Sequence, residues 1–98
     1  MLTHKLSIGA KINLENIWHY ITEKWSKKQA DQYLNLLIDE VQYLCVDLTS
    51  GVNYSGIRIG YYKKKVKSHL IFYKINRQLN QIEIIRILHQ RMDIESHL

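Results

Sequence analysis

The side chains best suited to acid–base chemistry lie together near the end of the chain. Arg86, His89 and Arg91 fall within six residues. A histidine beside two arginines could support general acid–base cleavage of RNA, because guanidinium groups stabilise the charge that develops on the phosphorus centre. The same three residues could equally be a structural anchor for the C-terminus. Composition does not choose between these two interpretations.

A second group combines aromatic and basic side chains. On a strand, Tyr61, Lys63, Lys65 and Lys67 would share one face. Such a face could bind a phosphate backbone through charge and stacking. The alternative is an edge strand whose lysines prevent aggregation. For each lysine considered by itself, this structural role is the favoured interpretation.

Other kinds of site find little support in the sequence. The five histidines are His4, His19, His69, His89 and His97, and they show no spacing typical of metal ligands. The glycines of residues 51–60 do not precede a helix, so no phosphate-binding loop is predicted. Cys45, the single cysteine, lies in an apolar helical stripe and is expected in the core. We therefore expect neither a metal nor a cofactor.

The basic charge is concentrated in one part of the chain. The formal net charge is +5, and residues 57–91 hold nine Lys or Arg but only one acid, Glu83. This asymmetry predicts a basic face that meets an acidic protein or a nucleic acid. The alternative is a solvated basic surface.

Length and hydropathy predict one small domain. A chain of 98 residues forms a single domain, here residues 1–98. It has no apolar run near the roughly 18 residues of a membrane span. Its first residues lack the apolar region of a secretion signal, so we expect a cytoplasmic protein.

The first half of the chain predicts a strand and two helices. A period of two over residues 2–6 indicates the strand, and Ser7 can cap a helix over about residues 8–24. The apolar face of that helix comprises Leu14, Ile17, Trp18, Ile21 and Trp25. Both tryptophans are expected to pack in the core or within the helical hairpin, and stacking on bases is the lesser alternative. Ser26 and Gln29 form a capping box for a second helix. Its apolar stripe comprises Ala30, Tyr33, Leu34, Leu37, Ile38, Val41, Leu44, Cys45 and Leu48.

The second half predicts a loop and three strands. Three of the four glycines lie in residues 49–60, after which a period of two runs through residues 61–67, 69–76 and 82–89. Short connections make these strands antiparallel. The predicted class is α+β with the order β-α-α-β-β-β, in which a helical hairpin packs on one face of a small, mainly antiparallel sheet.

Both faces of the last two strands are apolar. In the first of these strands, one face would carry Ile71, Tyr73 and Ile75, and the other face Leu70 and Phe72. In the second, Ile85 and Ile87 would lie on one face, and Ile82, Ile84 and Leu88 on the other. A single helical hairpin covers only one face. We expect the other to be an open, charge-rimmed strip that binds a protein, with Lys74 and Arg86 beside it. The alternative is a face covered by the loop or by the C-terminal tail.

These segments resemble the ParE branch of the ParE/RelE toxin superfamily. The matching stretches are LENIWHYI, WSKKQADQYLNLL, GIRIGYY, SHLIFYKI and EIIRILHQRMDIESHL, which run in order along nearly the whole chain. The combination of SHLIFY with IRILHQRMD is specific to this branch. The superfamily shares the β-α-α-β-β-β layout predicted above from periodicity.

The resemblance implies a bacterial type II toxin–antitoxin system, of the kind that stabilises plasmids. ParE-like toxins block DNA gyrase without catalysing a reaction. A ParD-like antitoxin neutralises them in a hetero-oligomer and alone contacts operator DNA. We expect the antitoxin to bind at Phe72, Ile84, Lys74 and Arg86, and the target at Arg58, His89 and Arg91.

Two alternatives remain open. RelE-like relatives cleave messenger RNA on the ribosome, and here Arg86 and His89 would be the catalytic residues. The remainder of the ribonuclease set is not evident, because Gln90 follows His89 and the last tyrosine is Tyr73. The third possibility is a degenerate member that only binds its antitoxin and helps to repress the operon.

Overall fold

The computed structural model describes residues 2–98, apart from the side chain of Leu48. The five strands are β1 (Thr3–Leu6), β2 (Val52–Asn53), β3 (Tyr62–Val66), β4 (His69–Asn76) and β5 (Gln81–His89). The three α-helices are α1 (Ile8–Lys24), α2 (Lys27–Val46) and α3 (Ile94–His97). The predicted α+β class and element order are confirmed, with β2 and α3 as additions.

Serine caps begin both long helices. The Ser7 hydroxyl accepts a hydrogen bond from the Ala10 backbone N–H at 2.9 Å, and Ser26 does the same for Gln29 at 3.1 Å. These caps satisfy backbone donors that the first turn of a helix leaves without partners. The helices are consequently separated only by Trp25 and Ser26, which makes a tight hairpin.

The second helix is shorter than its apolar stripe predicts. It ends at Val46, and residues 48–50 form a separate 3-10 turn. Asp47 has an extended backbone, and its carboxylate accepts a hydrogen bond from the Thr49 N–H at 3.0 Å. Asp47 therefore caps the following turn, so the prediction of a helix through residue 48 is wrong.

The strands form one sheet in the order β1-β5-β4-β3-β2. β1 runs parallel to β5, and the other neighbours are antiparallel. β2 pairs only Val52 with Lys63 and Asn53 with Tyr62. A two-residue strand carries no detectable alternation, which is why the sequence predicted only a loop there.

A bulge in β5 changes which isoleucines face the helices. Phe72 pairs with Arg86 but Tyr73 pairs with Ile84, which leaves Ile85 as an extra residue. An extra residue reverses the alternation beyond it. Ile84 and Ile87 therefore belong to the same core cluster, and the prediction that they lie on opposite faces is wrong.

The helix-facing side of the sheet forms the main core. Ala10 and Leu14 of α1, Leu37, Val41, Leu44 and Cys45 of α2, and Val66, Ile71, Tyr73, Ile82, Ile84 and Ile87 of the sheet make up its buried cluster. The predicted core position of Cys45 is confirmed, and burial raises the pKa of its thiol.

The opposite face of the sheet is covered by the loop. Phe72 and Leu88 are buried there. The Tyr54 ring packs edge-on against Phe72 with centroids 5.4 Å apart, and the Lys63 ammonium lies 4.9 Å from the centre of the Tyr54 ring. The predicted open apolar strip is therefore not found. The structure has the alternative arrangement, in which the loop covers this face.

The two tryptophans differ in environment. Trp18 is half-buried, and its indole N–H donates a hydrogen bond to Asp31 Oδ1 at 2.9 Å, which ties α1 to α2. Trp25 follows the last helical residue of α1 and is 72% exposed. The predicted packing in the core or the hairpin is confirmed for Trp18 and is wrong for the exposed Trp25.

Candidate functional site

A groove of about 760 Å³ runs between α1 and the adjoining ends of β4 and β5. Its lining residues are Asn13, Asn16, Ile17, Tyr20, Ile21, Trp25, Gln29, Tyr33, Ser68, His69, Ile87, His89 and Met92. None of these side chains is an aspartate, glutamate, lysine or arginine. The groove therefore joins apolar walls to neutral hydrogen-bonding groups, the composition expected of a binding site.

The groove forms because β1 is shorter than β5. β1 pairs with β5 only as far as Ile84, and beyond that point side chains of the α1 segment satisfy the β5 backbone. The Ser7 hydroxyl donates to the Ile85 carbonyl oxygen at 2.6 Å, and Asn13 Oδ1 accepts from the Ile87 N–H at 3.0 Å. These bonds hold the start of α1 against β5 where no strand covers its edge.

A tyrosine and two histidines lie together in the groove. The Tyr33 hydroxyl is 2.6 Å from His69 Nδ1 and 3.5 Å from the Val66 carbonyl oxygen. The rings of His69 and His89 meet edge to face, with centroids 5.2 Å apart. His89 Nδ1 in turn accepts a hydrogen bond from the Arg91 backbone N–H at 3.1 Å.

The surroundings keep His69 neutral. Burial, with a smaller contribution from the nearby His89, lowers the pKa of His69 from 6.5 to about 4. Burial also raises the pKa of Tyr33, although hydrogen bonds with Ser68 oppose this effect. At neutral pH the pair is therefore a phenol and a neutral imidazole, joined by a hydrogen bond between the Tyr33 hydroxyl and His69 Nδ1.

The predicted target-binding residues are not brought together. His89 lines the groove, whereas Arg58 lines a separate cavity of about 480 Å³ beside Glu95 and Leu98 of the C-terminal segment. Arg91 is exposed and lines neither cavity. The three residues therefore do not share one cavity, although the Arg91 backbone N–H bonds to His89 Nδ1, which keeps these two close together.

The predicted catalytic pair is also separated. Arg86 is half-buried, and its Nη1 donates to the Ile85 carbonyl oxygen at 2.8 Å. A Cβ added to Gly9 would collide with this guanidinium group, which shows that Arg86 packs on the start of α1. Arg86 does not line the groove that contains His89.

The predicted antitoxin-binding residues are mostly inaccessible. Phe72 and Ile84 are each 0% exposed, Phe72 beneath Tyr54 and Ile84 in the core beneath the helices. The prediction that both lie on an open face is wrong, because the bulge turns Ile84 inward and the loop covers Phe72. Lys74 is half-buried, with its ammonium 5.7 Å from the centre of the Tyr61 ring.

Sequence reasoning missed His69 and Tyr33 as members of the site. It examined the histidines only for short spacings along one helix. The antiparallel pairing of β4 with β5 places His69 directly opposite His89, at the far end from the connecting turn. Counting outward from that turn would pair His69 with Leu88, because the bulge at Ile85 shifts the register by one residue, so the sequence alone does not reveal the pair.

Neither a metal centre nor a membrane segment is found in the part of the chain that the structure describes. Within residues 2–98, no three side chains of His, Cys, Asp or Glu come together as metal ligands. No helix among these residues is both long and apolar enough to cross a membrane.

Comparison with known proteins identifies the family. A model of the ParE toxin family, described as the ParE toxin of type II toxin–antitoxin system, parDE, matches residues 5–94. The chain belongs to the ParE toxin family. It is 36% identical over 93 residues to Toxin ParE1 of Mycobacterium tuberculosis, covering 95% of this chain and 94% of that protein. It is 33% identical over 98 residues to Toxin ParE1 of Caulobacter vibrioides, covering 100% of this chain and 99% of that protein.

Solved structures of a ParDE system and of a RelBE2 complex contain chains with the same fold. A chain of the chromosomal ParDE toxin–antitoxin system from P. aeruginosa superposes with a TM-score of 0.78 at 15% identity, covering 91% of this chain and 96% of that one. A chain of the RelBE2 complex from Mycobacterium tuberculosis gives a TM-score of 0.57 at 13% identity, covering 90% and 96%. The resemblance noted in the sequence is thus confirmed: the chain is a toxin of a ParDE-type system.

Proposed function

We propose that this ParE-family toxin inhibits DNA gyrase as a binding protein and is neutralised by a ParD-like antitoxin. The observation that carries the proposal is the family match, which extends over residues 5–94 and is accompanied by relatives more than 30% identical over nearly the whole chain. Cytoplasmic action in a bacterium is part of the same proposal.

The basic part of the chain supports a target that is acidic or bound to DNA. Residues 57–91 carry eight net positive charges, and Arg58 and Arg91 are exposed. Exposed guanidinium groups make paired hydrogen bonds to carboxylates or phosphates that lysine cannot reproduce. We assign target binding to Arg58, His89 and Arg91, which would contact one large partner at separate points.

The groove supports antitoxin binding better than the sheet residues do. Phe72 and Ile84 are buried, so we move the main contact to the groove, where Trp25 and Tyr20 are large, exposed aromatic side chains. Aromatic anchors on an exposed apolar surface are typical of protein interfaces. We retain Lys74 and Arg86 as lesser antitoxin contacts outside the groove.

Replacement of Trp25 by serine tests the assignment to the groove. Trp25→Ser should weaken binding of the antitoxin at least ~10-fold, because an interface anchor costs about 2 kcal/mol or more when it is truncated. The measurement is titration calorimetry with the toxin and its co-expressed antitoxin. Tyr43→Ser is the matched control, since Tyr43 is an exposed aromatic residue of α2 outside the groove. Equal affinities for the two variants would exclude the groove as the antitoxin site.

Arg91 and His89 distinguish inhibition of gyrase from ribonuclease action. If the toxin binds gyrase, Arg91→Ala should abolish growth inhibition, while His89→Gln, which keeps polarity without a titrating group, should cause a smaller loss. If the toxin cleaves RNA, the order reverses, because loss of a general acid or base costs roughly 10²–10⁴ in rate. Growth, messenger RNA integrity and plasmid supercoiling are measured in the same cells. Ribosome-dependent cleavage that disappears in His89→Gln would overturn the gyrase proposal.

A further inference from the structure

The register of the strands places most of the basic side chains of the sheet on one face. Residues that pair directly across neighbouring strands point to the same side, so each row of pairs belongs to one face. Phe72 lies on the face opposite the helices, and its row contains Lys63 of β3 and Arg86 of β5. We call this side of the sheet the loop face. The register adds these charged residues to it: Lys5, Lys65, Lys74 and Glu83.

The cations of the loop face are close enough to act on one ligand. Neighbouring strands are about 4.8 Å apart, and alternate residues of one strand are about 6.8 Å apart. Lys65 and Lys74 are therefore attached to the sheet within about 10 Å of Lys63. The strands of this face hold five cations against one acid, which is a net charge of +4.

None of these five cations forms an ion pair among residues 2–98. The ion pair found in that part of the chain joins Lys64 Nζ to Glu40 Oε1 at 3.5 Å. Lys64 pairs with Ile71, a core residue, and so points to the helical side of the sheet. The lysine of β3 that faces the helices is thus neutralised, whereas its neighbours Lys63 and Lys65 are not. An array of cations without counter-charges attracts an anionic ligand.

Protection of a sheet edge explains only part of this array. Edge lysines prevent a strand from pairing with another molecule, and Lys65 lies beyond the short strand β2. Lys63, however, has partners on both sides, Val52 of β2 and Phe72 of β4. Lys74 lies on β4, which is an inner strand of the sheet. Edge protection gives no reason for a lysine at either of these two positions.

The chemistry of the loop face favours a nucleic-acid backbone over a protein. Protein interfaces have an apolar centre, but here Phe72 and Leu88 are already buried, with 0% and 2% exposure. Nucleic-acid interfaces are more polar and much more positive, and lysines there contact phosphates. The Lys63 ammonium lies over the Tyr54 ring, 4.9 Å from its centre, which leaves that side of the ring unavailable for stacking on a base. The expected contacts are therefore with phosphates and do not depend on base sequence.

We propose that the loop face binds the phosphate backbone of duplex DNA independently of base sequence. The phosphate assignment stands on the sheet alone. The choice of DNA over RNA rests on the proposed function, because gyrase acts on duplex DNA. The bound backbone would hold the toxin on the substrate of its target, through residues distinct from those of the groove.

The test is fluorescence anisotropy of a short labelled DNA duplex, titrated with antitoxin-free toxin at several salt concentrations. We expect a Kd of about 10⁻⁶–10⁻⁴ M near physiological salt, and a log K that falls linearly with log salt by about 0.9 per phosphate contact. Lys63→Gln combined with Lys65→Gln should weaken binding about 10-fold or more at low salt. The slope should become shallower by about 2, because two phosphate contacts are lost.

Lys27→Gln combined with Lys28→Gln is the matched control. It removes the same two charges from exposed residues at the start of α2, on the helical side of the sheet. This control should stay close to wild type in both slope and affinity. Equal losses in the two double variants would show a response to net charge alone and would overturn the loop face as the site. If Lys63→Gln disturbs folding, Lys5→Gln combined with Lys65→Gln changes two exposed lysines of the loop face instead.

Two further titrations test the kind of ligand. Poly-glutamate bound as tightly as the duplex would overturn the nucleic-acid assignment in favour of an acidic protein, and tighter binding of an RNA duplex of the same sequence would overturn the choice of DNA. Absence of DNA binding would refute the inference and leave gyrase inhibition to its own assays. Binding to DNA by a toxin that does not inhibit gyrase would refute the proposed function instead.

Discussion

At the scale of single residues, the fold lowers the pKa of His69. This residue is half-buried beside Tyr33 and faces a second histidine, His89. No acidic side chain lines this groove, so nothing there compensates a proton on the ring. The ring therefore contributes to the structure as a neutral hydrogen-bonding group.

This environment predicts a loss of stability in mild acid. The folded pKa of His69 is about 4, below the ordinary value of 6.5, so the unfolded chain takes up a proton at a higher pH than the folded chain does. The free energy of unfolding should then fall as the pH drops from 6.5 and reach its full loss below 4, by about 1–3 kcal/mol for this half-buried group. Urea denaturation at pH 7, 6, 5 and 4 measures the slope.

His69→Gln tests the origin of this slope. The glutamine stays neutral, so the variant should lose less stability than wild type between pH 7 and pH 4. His4→Gln, which changes an exposed histidine of β1, controls for the loss of any histidine. An identical acid slope in wild type and His69→Gln would refute the assignment to His69.

At the scale of elements, α2 is the helix on which the core depends. Its inner face contributes Leu37, which has no exposed area, whereas the preceding residue, Leu36, points outward and is 38% exposed. Leu37→Ala should lower the free energy of unfolding by about 2–5 kcal/mol, because it leaves a cavity in a close-packed core. Leu36→Ala is the matched control and should cost less than about 1 kcal/mol. Thermal and urea denaturation of both variants give the comparison, and equal losses would contradict the orientation of α2.

The elements that follow from local patterns were predictable, and those that depend on pairing were not. Serine caps and the helical period gave the bounds of α1 and the start of α2 closely. The bulge at Ile85 has no local signature among four neighbouring isoleucines and leucines, yet it decides that Ile84 and Ile87 face the helices together. The groove was missed for the same reason, since His69 and His89 meet only through the register of β4 with β5.

At the scale of the whole molecule, an uncharged apolar groove and a region of positive charge lie on different parts of one small fold. The groove beside α1 has no lysine or arginine and is rich in aromatic and aliphatic groups, whereas the positive charge lies in residues 57–91 and includes exposed Arg58 and Arg91. Of the proposed target contacts, Arg58 and Arg91 lie outside the groove, whereas His89 lines it and would be covered by a bound antitoxin. The family match accounts for the fold, and these surfaces support the proposed division of labour.

The most direct test of that account is ATP-dependent supercoiling of relaxed plasmid DNA by purified gyrase in the presence of this chain. We expect inhibition that increases with toxin concentration, is relieved by the co-expressed antitoxin, and is strongly reduced in Arg91→Ala. Supercoiling that is unaffected by the folded, antitoxin-free toxin, together with messenger RNA cleavage on ribosomes by the same preparation, would contradict it.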